Sequence, residues 1–308
     1  MTASPLDHWA EFSAGRLAKP DYIARMHDAA KLLFAYADFL PGSGVDRIEV
    51  HPGDVQVVCG KARFYLTRDD VRQPQMEALN FRGFEPHEWD VFLRAIPPGA
   101  TVFDVGGNIG WYAVRIAAEI PGVTVHSFEP VPHTFAQLER NVRLHALSGV
   151  TLYPFGFSEQ DGDAEFYFSP TLTGAASAAN TQNLDAGCRV SVKLRTLDGF
   201  VRETGLVPEF IKCDVEGAEL YVVRGGRETL RSAKPVLFLE LLRKWAAKFG
   251  YHPNEVIDLL AADGFRCFEV SDAGPRPIAK VTDATAATNF VFLHPDKHPE
   301  LIAEWSRA

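Results

Sequence analysis

The stretch Thr101-Val-Phe-Asp-Val-Gly-Gly-Asn-Ile-Gly-Trp-Tyr112 leaves this chain few folds to choose from. Thr101–Val105 is a run of β-branched and aromatic residues with the length of a fully buried strand, and Trp111–Ile120 is an apolar helical run. Only a tight turn fits between them. Glycines at 106, 107 and 110 let that turn take positive φ and let a ligand approach the main chain. The free N–H groups of the helix start face the same space. Strand, glycine turn and helix in this order make a seat for a nucleotide-like ligand.

The spacing narrows the ligand. A dinucleotide turn reads G-x-G-x-x-G, whereas here the order is Asp104-x-Gly106-x-Asn108-x-Gly110, with an acid where the strand ends and Asn at the second glycine position. A pyrophosphate is repelled by that acid. S-adenosylmethionine has no phosphate, and the ammonium of its methionine part gains from a nearby carboxylate. The next strand, Val123–Phe128, leads into Glu129, placed to accept both ribose hydroxyls.

Charge and cysteine content remove other classes. With 31 basic against 40 acidic residues and no basic cluster, the chain has no electrostatic grip on nucleic acid or an anionic membrane. Cys59, Cys188, Cys213 and Cys267 show no C-x-x-C pairing and read as reduced, small core residues, as expected in the cytoplasm. No apolar run approaches a membrane span, and the first twenty residues lack a signal-peptide core, so a soluble protein is expected.

Read in order, Asp21–Leu40 carries a helical apolar stripe (Tyr22, Met26, Ala29, Ala30, Leu33, Ala37, Leu40). The runs Arg47–Val50, Val55–Cys59 and Arg63–Thr67 alternate as a β-meander. Together they predict a small N-terminal α+β cap over residues 1–80, followed by the cofactor-binding domain over residues 81–308. A helix after Pro86, with Trp89, Phe92, Leu93 and Ile96 on one face, leads to the glycine turn. Beyond Glu129, helices and strands alternate: helix 132–147, strand 151–157, helix 197–204, strand 209–213, helix 218–230, strand 235–239. A helix over 255–262 and strands 266–270 and 289–293, forming an antiparallel hairpin, close the chain. The fold class is therefore α/β, a doubly wound, mostly parallel sheet covered on both faces. An extra strand at Ala164–Phe168 and a small-sided stretch, Ser169–Gly187, interrupt the alternation; the latter has the length and composition of a lid.

By Glu209-Phe-Ile-Lys-Cys-Asp-Val-Glu-Gly-Ala-Glu219 the pattern becomes recognisable. With the Asp104 turn, Glu129-Pro130, Phe84-Glu85-Pro86 and Pro235-Val-Leu-Phe-Leu-Glu240, it resembles the FkbM family of S-adenosylmethionine-dependent methyltransferases, over roughly residues 81–293. The resemblance implies a class I methyltransferase, Rossmann-like fold. It also implies O-methylation of a hydroxyl on a small-molecule, sugar or glycan acceptor or a natural product. Carried onto this chain, it puts Glu85, Asp104, Gly106, Gly107, Asn108, Gly110, Trp111, Glu129, Pro130, Phe157, Ser158 and Asp214 among the residues that bind S-adenosyl-L-methionine. Phe157-Ser158 lies where the adenine belongs, with Asp161 a partner for its amino group. Departures are small: Gly107 stands where Ala is usual, and Cys213 where an aliphatic residue is usual.

The residues themselves agree. Asp214 and Glu240 each follow an apolar strand and emerge at the carboxyl edge of the sheet, where ligands bind in open α/β folds. Methyl transfer needs a base for the hydroxyl proton, and Asp214, Glu240 and His252 are the candidates, the last because imidazole titrates near neutrality. Asp214 reads equally well as a helix N-cap, Glu216 as an exposed carboxylate in the first turn of the following helix, and His252 as a surface-loop residue. Lys212, in a buried strand, must pair with an acid. No metal is expected; the alternative is a divalent cation held by Asp214, Glu240 and Glu216. Two other functions stay open: a nicotinamide-dependent oxidoreductase, disfavoured by Asn108 and the lack of a Tyr-x-x-x-Lys pair, and a non-catalytic cofactor-binding partner subunit.

Overall fold

A computed structural model describes residues 3–181, 183–184 and 188–307. Helices α1 (Pro5–Ser13) and α2 (Lys19–Phe39) precede a meander of β1 (Arg47–His51), β2 (Asp54–Cys59) and β3 (Ala62–Tyr65), followed by α3 (Pro74–Asn80) and α4 (Pro86–Ala95). Then come β4 (Thr101–Val105), α5 (Trp111–Glu119), β5 (Thr124–Phe128), α6 (Pro132–Leu144), β6 (Val150–Tyr153), β7 (Gly156–Phe157), β8 (Gly162–Tyr167), β9 (Arg189–Arg195) and α7 (Leu197–Thr204). The chain ends with β10 (Phe210–Cys213), α8 (Glu219–Gly225), α9 (Arg227–Ala233), β11 (Val236–Glu240), α10 (Arg243–Ala246), α11 (Pro253–Ala262), β12 (Arg266–Glu269), β13 (Arg276–Pro277), β14 (Asn289–Leu293) and α12 (Pro299–Trp305).

The main sheet has the order β13-β12-β14-β11-β10-β4-β5-β6. Strands β11, β10, β4, β5 and β6 run parallel, and the strand order reverses on either side of β4, so the carboxyl ends there open a crevice. The last two predicted strands do pair antiparallel, but β14 is wedged between β12 and β11. Because both sheet faces are covered, buried side chains alternate between two cores. Val102, Phe210 and Phe238 point to one; Phe103, Ile211 and Leu237 point to the other.

The meander packs on the first core. Phe64 of β3 stacks on Trp111 at 5.0 Å, and the main-chain N–H groups of Arg63 and Tyr65 donate to His145 Nε2 and Asn141 Oδ1. Helix α2 departs from expectation: it has no buried residue, and Ile23, Leu33 and Phe34 of its apolar stripe and neighbouring face are exposed. Leu93 is likewise half exposed, while Val91 and Ala95 join Trp89 and Phe92 inside. Helices α1, α3 and α12 and strands β9 and β13 carried too weak a pattern to be read from sequence.

Two predicted elements are broken, and they cross each other. The strand expected over 151–157 splits into β6 and β7, the latter leaving the main sheet to pair with β9 in a small sheet of order β7-β9-β8. The helix expected over 218–230 splits at Gly225-Gly226, where it crosses the β7 end so closely that a Cβ on Gly225 lies 2.0 Å from the Ser158 carbonyl oxygen. Backbone meets backbone here, and no side chain can yield. Gly225→Ala is therefore expected to cost at least the roughly 1–3 kcal/mol typical of overpacking; a denaturant midpoint equal to that of the unaltered protein would show that the helix can move aside.

Candidate active site

The glycine turn is shaped by three close approaches. A Cβ on Gly106, whose φ is 78°, falls 1.9 Å from the Asp214 carbonyl oxygen, and one on Gly107 falls 2.1 Å from Ser127 Oγ. At Gly110 a Cβ meets Leu138 Cδ1 at 2.6 Å. Asn108 is itself left-handed, with φ 48°, which turns its N–H onto Glu129 Oε2 at 3.0 Å. Glu129 Oε1 accepts from the Val131 N–H at 2.9 Å, so the carboxylate is fixed by two main-chain donors. Burial nevertheless pushes the Glu129 carboxyl up to about 7.

Beneath the turn lies Lys212. Strand register places Asp104 beside Lys212 on one side and Ser127 on the other, all three on one sheet face. The Lys212 ammonium, buried, donates to the Gly106 carbonyl at 2.9 Å and lies 3.7 Å from Asp104 Oδ1 and 3.6 Å from Asp214 Oδ2. Ser127 Oγ donates to Asp104 Oδ2 at 2.8 Å. The expectation that Asp104 faces the cofactor is thus corrected. Its side chain is sealed under the turn because it precedes the last strand residue and follows the pleat inward.

Above the turn, two cavities of about 250 and 440 Å³ share a wall formed by Asn108, Gly174, Asp214 and Glu216. The first is lined by Gly106, Glu129, Pro130, Phe157 and Ser158, and by Phe166, Tyr221 and Phe249 as apolar walls. The second lies between the cap and the β11 end, lined by Arg72, Phe81, Glu85, Glu240, Lys244 and Trp245.

Acids crowd the shared wall. One carboxylate oxygen each from Asp214, Glu216 and Glu240 lie within 4.8 Å of one another. Burial, then the charges of Asp214 and its neighbours, hold the Glu216 and Glu240 carboxyls well above the ordinary range. Glu85, left-handed at φ 48° and ahead of α4, accepts from the Tyr112 hydroxyl, and burial pushes it up to about 7. Glu219 folds back to accept from the N–H groups of Val215 and Gly217, at 3.0 and 3.1 Å; this closes the turn that presents Glu216. Burial holds Glu219 at about 7 as well.

Of the residues expected to bind cofactor, the structure brings Gly106, Asn108, Glu129, Pro130, Phe157, Ser158 and Asp214 to the first cavity. Glu85 belongs to the second. Gly107 and Gly110 support the turn from outside the cavity wall. Trp111 points away, between Phe64 and Phe84, because it starts α5 on the face that the cap covers. Asp161 accepts the Thr196 N–H instead of facing the cavity, where Glu159 stands. His252 reaches neither cavity: its ring caps α11 by accepting from the Asn254 N–H at 3.2 Å, with Glu255 completing a capping box. Glu216, read as exposed, stands between the cavities. Gly174 and Phe166 come from segments whose position no local pattern fixes.

The part of the loop within the described residues is packed rather than loose. Thr173, Ser177 and Thr181 are buried, Ser177 pairs with Tyr167 through main-chain hydrogen bonds, and its Oγ donates to the Glu216 carbonyl at 3.0 Å. Residues 182 and 185–187 of the expected lid lie outside the described residues. Among the described residues, no helix is long and apolar enough to cross a membrane.

Known proteins share part of this sequence. A protein named methyltransferase 1 from Beauveria bassiana (strain ARSEF 2860) is 30% identical over 43% of this chain and 61% of its own length. The 31-O-demethyl-FK506 methyltransferase FkbM of Streptomyces tacrolimicus is 31% identical over 42% of this chain and 60% of its own. The hexuronic acid methyltransferase AglP of Haloferax volcanii is 32% identical over 52% and 61%. The chain thus spans about three fifths of the length of these relatives. The methyltransferase FkbM domain matches residues 104–267, from Asp104 beneath the glycine turn to Cys267 in β12 and more than half of the chain, which therefore belongs to the FkbM methyltransferase family.

Proposed function

We propose that this protein transfers a methyl group from S-adenosylmethionine to a hydroxyl oxygen of a sugar, glycan or natural product. One observation carries the reading: two cavities share a wall of Asp214 and Glu216, one holding the fixed Glu129 carboxylate and the other holding Glu240. The first cavity fits the cofactor. Asn108 Oδ1 and Asp214 Oδ1 are buried acceptors without a partner, and no Lys or Arg is among its described lining residues. A pyrophosphate would meet Glu129, Asp214 and Glu216 with no Lys or Arg among the described lining residues, which counts against the nicotinamide alternative. The named acceptors of two relatives, 31-O-demethyl-FK506 and a hexuronic acid, support a hydroxyl acceptor.

S-adenosylmethionine supplies a methyl already activated by its positive sulfur. The protein's own residues do the rest. Glu129 accepts from the ribose hydroxyls, Phe157, Tyr221 and Phe249 enclose the adenine, and the free oxygens of Asn108 and Asp214 receive the ammonium. In the second cavity Glu240, made more basic by burial and by Asp214 beside it, takes the hydroxyl proton, and Asp214 orients the acceptor oxygen. Alignment and water exclusion supply the remainder of the rate.

Release of S-adenosylhomocysteine in the presence of a panel of sugars, glycosides and hydroxylated natural products tests the reading; a protein that binds nicotinamide dinucleotide and not S-adenosylmethionine refutes it. Glu129→Ala is expected to weaken S-adenosylmethionine by about 10- to 150-fold, the worth of a charged hydrogen bond, as read by calorimetry on the folded variant. Glu240→Gln is expected to lower turnover by ~10²–10⁴-fold while changing cofactor affinity far less, and Asp214→Asn to lower both turnover and cofactor affinity. Wild-type turnover that survives a chelator rules out a required, removable metal at the three acids.

The raised carboxyls also set a pH dependence. Glu85, Glu129 and Glu219, each near 7 when folded, hold protons that the unfolded chain, with Glu near 4.3, has already released. Stability of the ligand-free protein should therefore fall as pH rises from about 4.5 to 7 and level off above. Glu129→Gln should flatten that slope, and a thermal midpoint that climbs through the same window would contradict the assignment.

A further inference from the structure

We propose that Asp70 of the cap and Thr173 of the segment between β8 and β9 form a clasp that positions the wall shared by the two cavities, and are positioning residues for methyl transfer. The proposal rests on the cofactor assignment made above. Thr173 Oγ1 donates to Asp70 Oδ2 across 103 residues of sequence, and both side chains are buried, at 3% and 6% exposure. Asp70 is in turn fixed: its Oδ1 accepts from the Arg72 N–H at 3.0 Å, and its carbonyl accepts from Gln73 Nε2 at 2.7 Å. A second tie runs beside it, from the Val71 N–H to the Thr171 carbonyl at 3.1 Å.

The residue after Thr173 is Gly174, which lines both cavities. It lies so close to Asn108 that an added Cβ sits 3.3 Å from Asn108 Nδ2. Asn108 is the turn residue whose N–H holds Glu129. The clasp therefore fixes the loop against the cofactor turn at the boundary across which the methyl must pass. Loop residues Leu172 and Ala175 complete the second cavity, and Ala176 and Ala178 the first. Apart from Leu172 these side chains are small and offer little burial of their own, so the position of the segment depends on the polar ties at its ends: Asp70–Thr173 on the cap side and Ser177 Oγ to the Glu216 carbonyl on the sheet side. Acceptor and cofactor are enclosed by the same few residues, and the cap takes part in both.

Thr173→Val keeps shape and removes the hydroxyl; Thr173→Ser keeps the hydroxyl. Two measurements on the full chain read the effect. In the ligand-free protein, amide hydrogen exchange at Val71 and Ala175 should rise in Thr173→Val and stay at the wild-type level in Thr173→Ser, with the core strands β4 and β10 unchanged in both. In stopped flow, S-adenosylhomocysteine should leave Thr173→Val about tenfold faster than wild type and leave Thr173→Ser within about twofold. Asp70→Asn combined with Thr173→Val should be no worse than the poorer single variant. Wild-type protein that does not bind S-adenosylhomocysteine overturns the functional reading and the positioning role with it. Normal wild-type binding, with exchange and dissociation in Thr173→Val unchanged, overturns the clasp alone.

Discussion

A single buried ammonium holds the centre of this molecule together. Lys212 joins the carbonyl of the glycine turn, the carboxylate under that turn and the carboxylate at the end of β10. Burying a charge so deeply is unfavourable unless oxygens surround it, and here they come from two strand ends and a turn. The same contacts that satisfy the ammonium therefore fix the glycine turn relative to Asp214 on the wall between the two cavities. Neither could shift without leaving a buried charge unpaired.

Around that centre the chain accumulates carboxyls in excess of cations. Glu85, Asp214, Glu216 and Glu240 line one continuous region, with Arg72 and Lys244 at its edge. Burial, and after it this crowding, holds the carboxyls of Glu85, Glu216 and Glu240 above the ordinary range. On the proposed function, a cofactor carrying a positive sulfur relieves the same crowding, so binding and proton acceptance draw on one electrostatic arrangement. The cap contributes more than cover: Arg72, Pro74 and Glu77 line the second cavity, and Asp70 reaches the loop that both cavities share.

The sequence by itself determined the sheet, its carboxyl edge and the acids on it. Thr101–Val105, the glycine turn and the apolar runs ending at Glu129, Asp214 and Glu240 are local patterns whose periodicity and spacing dictate strand, turn and emergence point. Only the tertiary structure decided where side chains point once strands lie in register. Asp104 turned inward because Lys212 and Ser127 are its lateral neighbours, Trp111 turned outward because the meander covers α5, and His252 became a cap because Pro253 opens a helix beside it. Glu216 and Thr173 carry no local mark of their place. The first is presented by a turn that Glu219 closes, and the second by a hydrogen bond to a residue 103 positions away. Local pattern fixes what one segment does with its own backbone, whereas a site made of contacts between distant segments exists only after the chain has packed.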